Sequence, residues 1–181
     1  MSLLIVEGAR KSGKSYLISQ QTVLPVFKFD FNSNFSHWDF DKHGTDIHWF
    51  GLGKEIMLHE LDAAGHLPTL LVDRGILTNS VWGVFQRRIT EEQAKRDLIK
   101  FNDRGLFKNT EILLIEGQFK EERKKDIWDE DDKRREEERS LFLSFSSLLR
   151  SLGVTVNVFR NDFDIASVER FNEVIREFAS K

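Results

Sequence analysis

The sequence predicts a three-layer α/β/α fold around a mostly parallel β-sheet. Short apolar runs bounded by glycine or polar residues recur along the 181 residues, which is typical of buried strands. Stretches with apolar residues at helical spacing separate these runs, and a glycine-rich turn joins the first run to the first helix. Strands that alternate with helices form a parallel sheet covered on both faces. Neither an internal repeat nor a low-complexity linker divides the chain, so we expect one domain over residues 1–181.

The strands and helices are predicted in a regular order. Residues 3–7 form the first strand, residues 14–20 the first helix and residues 26–31 the second strand. Residues 32–53 are rich in aromatic residues, Asp, His and Gly without a clear period, so we expect an irregular segment there. The later strands are predicted over 69–73, 111–116 and 154–159, and the later helices over 54–64, 79–88 and 91–102 and after residue 164.

Capping residues and apolar faces position these helices. Thr90 and Asp164 precede two helical stretches, and their side chains are suited to accept hydrogen bonds from first-turn N–H groups. The apolar faces are predicted from side chains at helical spacing: Met57, Leu61 and Ala64 in the helix over 54–64, then Leu141, Phe145, Leu148 and Leu152, and finally Val168, Phe171, Val174, Ile175 and Phe178 in the last helix.

Residues 120–139 mix both charges densely between two predicted strands. One interpretation is a lid-like helical hairpin, over about 118–140. The other is an ordinary solvated helix face with ion pairs along it. The charge pattern alone does not choose between the two.

The composition excludes several function classes. The chain has no cysteine, so disulfide frameworks, thiolate nucleophiles and cysteine zinc sites are absent. Its net charge of −3, from 27 basic and 30 acidic residues, creates no general attraction for nucleic acid or anionic lipid. The five His residues have no spacing that requires a metal. The N-terminus does not resemble a secretory leader and no run is long enough to span a membrane, so we expect a cytoplasmic protein without membrane contact.

A phosphate-binding loop, or P-loop, is the clearest motif. The pattern G-x-x-x-x-G-K-[ST] lies between an apolar strand and the start of a helix, which is its expected context. Its glycines let the backbone N–H groups turn toward phosphates, and the helix N-terminus adds partial positive charge. Lys14 is expected to reach the β- and γ-phosphates of ATP, and the Ser15 hydroxyl to ligate Mg²⁺. The motif consists of Gly8, Ala9, Arg10, Lys11, Ser12, Gly13, Lys14 and Ser15.

A second polar site follows the strand over 69–73. Ligands of open parallel sheets bind at the carboxyl ends of the strands, so Asp73 and Arg74 should lie near the P-loop. Asp73 can hold hydrated Mg²⁺ or orient the acceptor, and the planar guanidinium of Arg74 suits a phosphate. Arg87 and Arg88 can add acceptor contacts, although basic residues near a helix C-terminus also compensate the helix dipole.

These residues resemble thymidylate kinase and the related phage-type deoxynucleoside monophosphate kinases. In that family a Glu-Gly pair precedes the loop, and an Asp-Arg pair is followed by a Ser and an aromatic Tyr. The matching residues here are Glu7 and Gly8, then Asp73 and Arg74, then Thr78 and Trp82. Two positions differ: the acid usual at the third loop position is Arg10, and the family's Arg-Glu-Pro after the second strand is replaced by residues 27–32.

The resemblance implies the fold of nucleoside monophosphate kinases and transfer of the γ-phosphoryl group of ATP to a (deoxy)nucleoside monophosphate. Lys14, Asp73 and Arg74 would act in the transfer, and Asn161 would lie near the adenine. The implied substrate contacts are Arg10, Arg74, Thr78, Trp82 and Arg88, and the basic residues of the lid that could reach the phosphates are Arg123, Lys124, Arg134 and Arg135.

Two alternatives remain open at this point. A kinase acting on a hydroxyl of a polynucleotide, or of a modified base in DNA, could use Arg10 and the aromatic residues between 27 and 50 for phosphate contacts and stacking. A regulatory P-loop NTPase could instead use Asp73 to organise a hydrolytic water and the charged segment as a partner surface. The sequence decides neither the acceptor nor whether the chain forms a homodimer.

Overall fold

Five parallel strands form one sheet in the computed structural model, which describes residues 2–28, 44–117 and 132–181. Their order is β2-β3-β1-β4-β5, so β1 lies in the middle and pairs with β3 and β4. Because every pairing is parallel, the carboxyl ends of the strands meet at the same end of the sheet. The strands are β1 (Leu3–Glu7), β2 (Val26–Lys28), β3 (Leu70–Asp73), β4 (Thr110–Glu116) and β5 (Thr155–Arg160).

Helices cover both faces of this sheet, which confirms the predicted three-layer α/β/α arrangement. In β1, Leu3 and Ile5 enter one apolar core, whereas Leu4 and Val6 enter the core on the opposite face. Helices α1 (Lys14–Gln20) and α6 (Ile165–Ala179) pack over the second of these cores. The first is covered by α2 (Gly44–Ala63), α3 (Ile76–Phe85), α4 (Glu91–Asp103) and α5 (Asp132–Ser151).

Several sequence predictions are confirmed by these elements. The strand β1 and the helix α1 have the predicted bounds. Strands β3 and β4 each differ from the prediction by one residue at one end, and β5 is shifted by one residue at both ends. Thr90 accepts a hydrogen bond from Gln93 N at 3.1 Å, and Asp164 accepts one from Ser167 N at 2.7 Å. Both helix caps therefore form as predicted.

The prediction for α2 is wrong in its start and in its buried face. The helix begins at Gly44, so residues 44–53 are helical rather than irregular, while residues 32–43 lie outside the described part of the chain. Met57 and Leu61 are 57% and 38% exposed, whereas the polar side chains of Glu55, His59 and Asp62 are buried. Packing against α3 and α4 therefore overrides the apolar spacing from which the face was predicted.

Two further elements differ from the prediction in their bounds. Helix α3 spans Ile76–Phe85 rather than residues 79–88, because a side chain from β1 caps its N-terminus. The second strand ends at Lys28, and residues 29–31 are outside the described residues, as is the segment 118–131 with Arg123 and Lys124. Within the ranges that the structure describes, no helix is both long enough and apolar enough to cross a membrane.

Candidate phosphate-binding site

The loop between β1 and α1 has the backbone shape of a tight phosphate cradle. Gly8, Lys11 and Gly13 have φ angles of 141°, 62° and 84°, a region that favours glycine. A Cβ on Gly8 would lie 2.5 Å from the carbonyl oxygen of Ile115, so the loop passes too close to β4 for any side chain there. Gly13, the N-cap residue of α1, has no side chain that could accept from the first-turn N–H groups. These N–H groups stand at the end of the helix where the motif predicts phosphates.

Lys14 lies inside this loop. Its side chain is buried, and Nζ donates to the carbonyl oxygen of Ala9 at 3.2 Å. Burial lowers the pKa of Lys14 to about 8, and the positive charge of Arg74 acts in the same direction, while Glu7, Asp73 and Glu138 oppose the shift. Within the described ranges no carboxylate lies at ion-pair distance from Lys14, so an anion that enters the loop would stabilise this buried ammonium.

Asp73 and Arg74 stand at the carboxyl end of β3, one strand away from the loop. Asp73 is buried, with Oδ2 3.8 Å from Lys28 Nζ, and its Oδ1 has no hydrogen-bond partner among the described residues. Arg74 is exposed and has a φ of 73°, while its N–H donates to the carbonyl oxygen of Val6 at 3.1 Å. A left-handed arginine is strained by roughly 1–2 kcal/mol, and strain of this kind concentrates at functional sites.

Glu7, the last residue of β1, caps helix α3. Its Oε1 accepts hydrogen bonds from the N–H groups of Gly75, Leu77 and Thr78 at 2.9, 3.1 and 3.3 Å, and Oε2 accepts from the Thr78 hydroxyl. Burial raises the pKa of Glu7, while the hydrogen bonds from Thr78 and Gly75 and the charge of Lys14 oppose that shift. The carboxylate also gains from the partial positive charge of the helix N-terminus.

Glu55 brings a second buried carboxyl to the same place from α2. Its Oε1 lies 2.5 Å from Lys54 Nζ, and its Oε2 has no hydrogen-bond partner in the described ranges. Gly75 separates the two acids, since a Cβ there would lie 3.2 Å from Glu55 Oε2 and 3.3 Å from Glu7 Oε1. Burial raises the pKa of Glu55 to about 7; Lys54 opposes the shift and Glu7 adds to it. The carboxyls of Glu7 and Glu55 are therefore neighbours in one buried region, and the charge of Lys14 acts on Glu7.

The third loop residue, Arg10, turns toward helix α5. Its N–H and its Nε donate to the two carboxylate oxygens of Glu138 at 3.1 and 3.0 Å. Its guanidinium carbon lies 5.0 Å from the ring centre of Trp82 and 5.3 Å from that of Phe85. Arg134 lies over the same Phe85 ring at 4.8 Å. Arg10 thus contacts α3 and α5 in this structure, and its contact with a phosphate stays a prediction.

Asn161 fixes the other side of the loop. Its Nδ2 donates to the carbonyl oxygen of Ser12 at 2.9 Å, and its Oδ1 accepts from Phe163 N at 3.0 Å. The Phe163 ring packs where Gly13 and Gly117 have no side chain. Asn161 therefore supports the loop backbone. The adenine contact that the resemblance implies for this residue stays a prediction.

The structure brings many of the predicted site residues together at the carboxyl ends of β1 and β3. Asp73 and Arg74 lie close enough to Lys14 to act on its pKa, in opposite directions, and Ser15 is exposed on the first turn of α1. Arg88 lies close to the imidazole of His48, while Arg135 is half-buried on α5; their contacts with a substrate stay predictions.

Sequence analysis named Glu7 only as part of the family pattern and did not predict that it caps α3, although this residue directly precedes the loop and must lie at the end of its strand. Two other acids of this site, Glu55 and Glu138, were given no role. Glu55 and Glu138 carry no such signal, because each looks like one charged residue on a mixed helix. No cluster of three or more His, Asp or Glu side chains able to hold a metal forms within residues 2–28, 44–117 and 132–181.

Comparison with known proteins gives the fold its name. No protein-family model and no curated protein matches the sequence. The structure of deoxyadenosine kinase from M. mycoides with bound dATP matches 99% of this chain and 100% of that chain, with a TM-score of 0.61 and 14% identity. The dCTP-bound structure matches 97% of each chain, and a third, with products dCMP and a flexible dCDP bound, matches 99% and 100%; both have a TM-score of 0.54 and 14% identity. The chain therefore has the fold of P-loop kinases.

Proposed function

We propose that this chain is a P-loop kinase that transfers the γ-phosphoryl group of ATP to a (deoxy)nucleoside monophosphate. The observation that carries this proposal is the convergence of Lys14, Asp73 and Arg74 beside the loop over 8–15. Phosphoryl transfer depends mainly on positioning and charge stabilisation, and these three groups supply two cations and one carboxylate where the phosphates would lie.

Asp73 and Ser15 are the groups we assign to Mg²⁺. Magnesium in kinases is held by one or two protein oxygens together with substrate phosphates and several waters, so a large cluster of protein ligands is not required. Asp73 fits this role because its buried Oδ1 lacks a hydrogen-bond partner among the described residues. Ser15 fits because its side chain is exposed on the first turn of α1. When bound, the ion offsets charge on the transferred phosphate.

The proposal that the acceptor is a monophosphate rests on the position of Arg74. Its strained backbone holds a guanidinium at the exposed end of β3, next to the loop, where a planar pair of donors suits a phosphate. In the transfer, an oxygen of the acceptor phosphate bonds to the γ-phosphorus, the bond to the β–γ bridging oxygen breaks, and ADP leaves.

A second acceptor, the deoxynucleoside itself, is favoured by Glu7 and Glu55. A nucleoside hydroxyl arrives uncharged and must lose a proton as its oxygen bonds to phosphorus, whereas a monophosphate arrives as an anion. Two buried carboxyls, close together where β1 ends and α3 begins, disfavour an anion and suit a hydroxyl. A nucleoside acceptor is also supported by the solved structures of the same fold, which are those of a deoxyadenosine kinase.

The test is product identification by mass after incubation with ATP and Mg²⁺. The panel contains deoxynucleosides, their monophosphates and a short single-stranded oligonucleotide, each offered separately. Diphosphate from a monophosphate supports the first acceptor, and monophosphate from a nucleoside supports the second. Phosphate transferred only to the oligonucleotide, or released only as free phosphate, would instead favour the polynucleotide kinase or the regulatory NTPase.

Two variants tie the activity to this site. Lys14→Ala removes the cation inside the loop and should abolish transfer while the chain stays folded, because the loop backbone is held by other contacts. Lys108→Ala is the matched control, since that lysine is exposed in the turn before β4. Full transfer by purified Lys14→Ala would refute the mechanism.

A further inference from the structure

A buried carboxylate from α5 holds the first half of the phosphate loop. Glu138 is 1% exposed, and its two oxygens accept hydrogen bonds from Arg10 N at 3.1 Å and Arg10 Nε at 3.0 Å. The two residues are 128 positions apart in sequence, so this contact forms only when α5 docks against the loop. One helix thereby controls the direction of one peptide group of the loop.

The bond to the Arg10 N–H has a geometric consequence. A phosphate loop binds through successive backbone N–H groups, and each must point in a defined direction. Because Arg10 N donates to Glu138, this N–H is directed at α5 and its peptide plane is fixed. Asn161 fixes the second half of the loop through the carbonyl oxygen of Ser12. The two contacts hold the loop from opposite sides, one on each side of Lys11.

The charge of Glu138 is compensated within the same cluster. A carboxylate near a triphosphate site would repel the nucleotide, but the Arg10 guanidinium pairs with it and is only 20% exposed. Arg10 is itself packed over Trp82 and Phe85. Because the two charges are paired, Arg10 offsets part of the repulsion between Glu138 and an incoming anion, and the geometric restraint on the loop remains.

We propose that Glu138 is a positioning residue of the phosphate loop, which sets nucleotide affinity by fixing the Arg10 peptide rather than by its charge. This inference rests on the proposed function, because it assigns Glu138 to the nucleotide side of the same site. The nucleotide concerned is a nucleoside triphosphate with Mg²⁺. We expect loss of this contact to affect nucleotide binding and not binding of the acceptor.

Two substitutions separate geometry from charge. Glu138→Gln removes the charge but keeps an oxygen at the same reach, so it can still accept from Arg10 N. Glu138→Asp keeps the charge but withdraws the carboxylate by one methylene from the loop. Glu136→Gln, an exposed residue on the same helix, is the control for loss of one negative charge. The dissociation constant of Mg²⁺·ATP is measured by calorimetry on the full chain, with thermal unfolding of each variant.

We expect Glu138→Asp to weaken Mg²⁺·ATP binding about tenfold, because small misplacements in a preorganised site have effects of this size or larger. Glu138→Gln should stay within about threefold of the wild type. In turnover assays the Asp variant should raise KM for ATP and leave KM for the acceptor unchanged.

The opposite pattern would overturn the inference. If Glu138→Gln and Glu136→Gln both tighten binding while Glu138→Asp leaves it unchanged, Glu138 acts through charge alone. Unchanged binding in both Glu138 variants would equally exclude a positioning role. Failure of the wild type to bind Mg²⁺·ATP would instead refute the proposed function, so the two failures are distinguishable.

Discussion

Replacing Gly13 by alanine tests whether the loop shape is held by the contacts described above. Gly13 has a φ of 84°, and a Cβ there would collide with Asn161 Nδ2 and lie 2.9 Å from Phe163 Cε1. The alanine variant is therefore strained in its backbone and must also displace Asn161. That movement breaks the 2.9 Å hydrogen bond from Asn161 to the Ser12 carbonyl oxygen.

The magnitude follows from these two effects. A left-handed alanine costs roughly 1–2 kcal/mol relative to glycine. Leaving the Asn161 amide, which is 3% exposed, without its partner costs about 1–3 kcal/mol more. Gly65→Ala is the matched control, because Gly65 has a φ of 74° and nothing lies within 4 Å of its Cβ position. The control shares the backbone strain and lacks the collision.

The assay is urea-induced unfolding of both variants beside the wild type, followed by calorimetric titration with Mg²⁺·ATP. Gly13→Ala should lose about 1–3 kcal/mol more unfolding free energy than Gly65→Ala, and it alone should lose nucleotide binding. Equal destabilisation of the two variants would refute the steric argument. Unimpaired nucleotide binding by Gly13→Ala would show that the loop tolerates another shape.

Three further predictions concern single groups. The pKa of Lys14 is lowered from 10.5 to about 8, so below pH 8 its buried charge destabilises the folded state, and this effect is lost between pH 8 and pH 10.5. The unfolding free energy of the wild type, relative to that of Lys14→Met, should therefore rise over this range in urea titrations made at a series of fixed pH values. Arg74→Gly relieves the backbone strain of an arginine with a left-handed φ angle, so urea unfolding should show a gain of about 1 kcal/mol in unfolding free energy. The same variant should raise the KM for the acceptor in steady-state kinetics. Thr90→Ala removes the acceptor for Gln93 N, and thermal unfolding should report a loss of about 1 kcal/mol without a change in nucleotide binding.

The parallel sheet and the loop were predictable because their signals are local. Apolar strand runs, the glycines of the loop and the two helix caps each depend on neighbours within a few residues. Asp73 and Arg74 were also predictable, since the end of a buried parallel strand defines their location.

The start of α2 could not be predicted because one glycine near that end of the helix has a packing role. Gly51 lies where a Cβ would collide with the amide of Asn79, so it permits close approach of α2 and α3. In the sequence the same residue indicates a turn. His48, buried beside Asp97 with Nε2 3.6 Å from Oδ2, likewise depends on a third helix that the local pattern does not reveal.

The remaining parts of the site depend on contacts that are distant in sequence. Helix α3 begins early because Glu7, 68 positions before Gly75, accepts from its first N–H groups. Arg10 was predicted to meet a phosphate, and only the docking of α5 reveals that Glu138 lies beside it. Such pairings are set by topology, so no local pattern contains them.

The central place of β1 makes formation of the phosphate loop a late event in folding. β1 is completed on one side by β3 and on the other by β4, and the loop is fastened by residues from 138 and 161 onward. During synthesis on a ribosome, residues 8–15 are made well before residues 138 and 161, so the loop has neither of these two native supports until they have emerged. Nucleotide binding therefore reports that both supports have docked, and a chain truncated before residue 161 should not bind even though its loop sequence is intact.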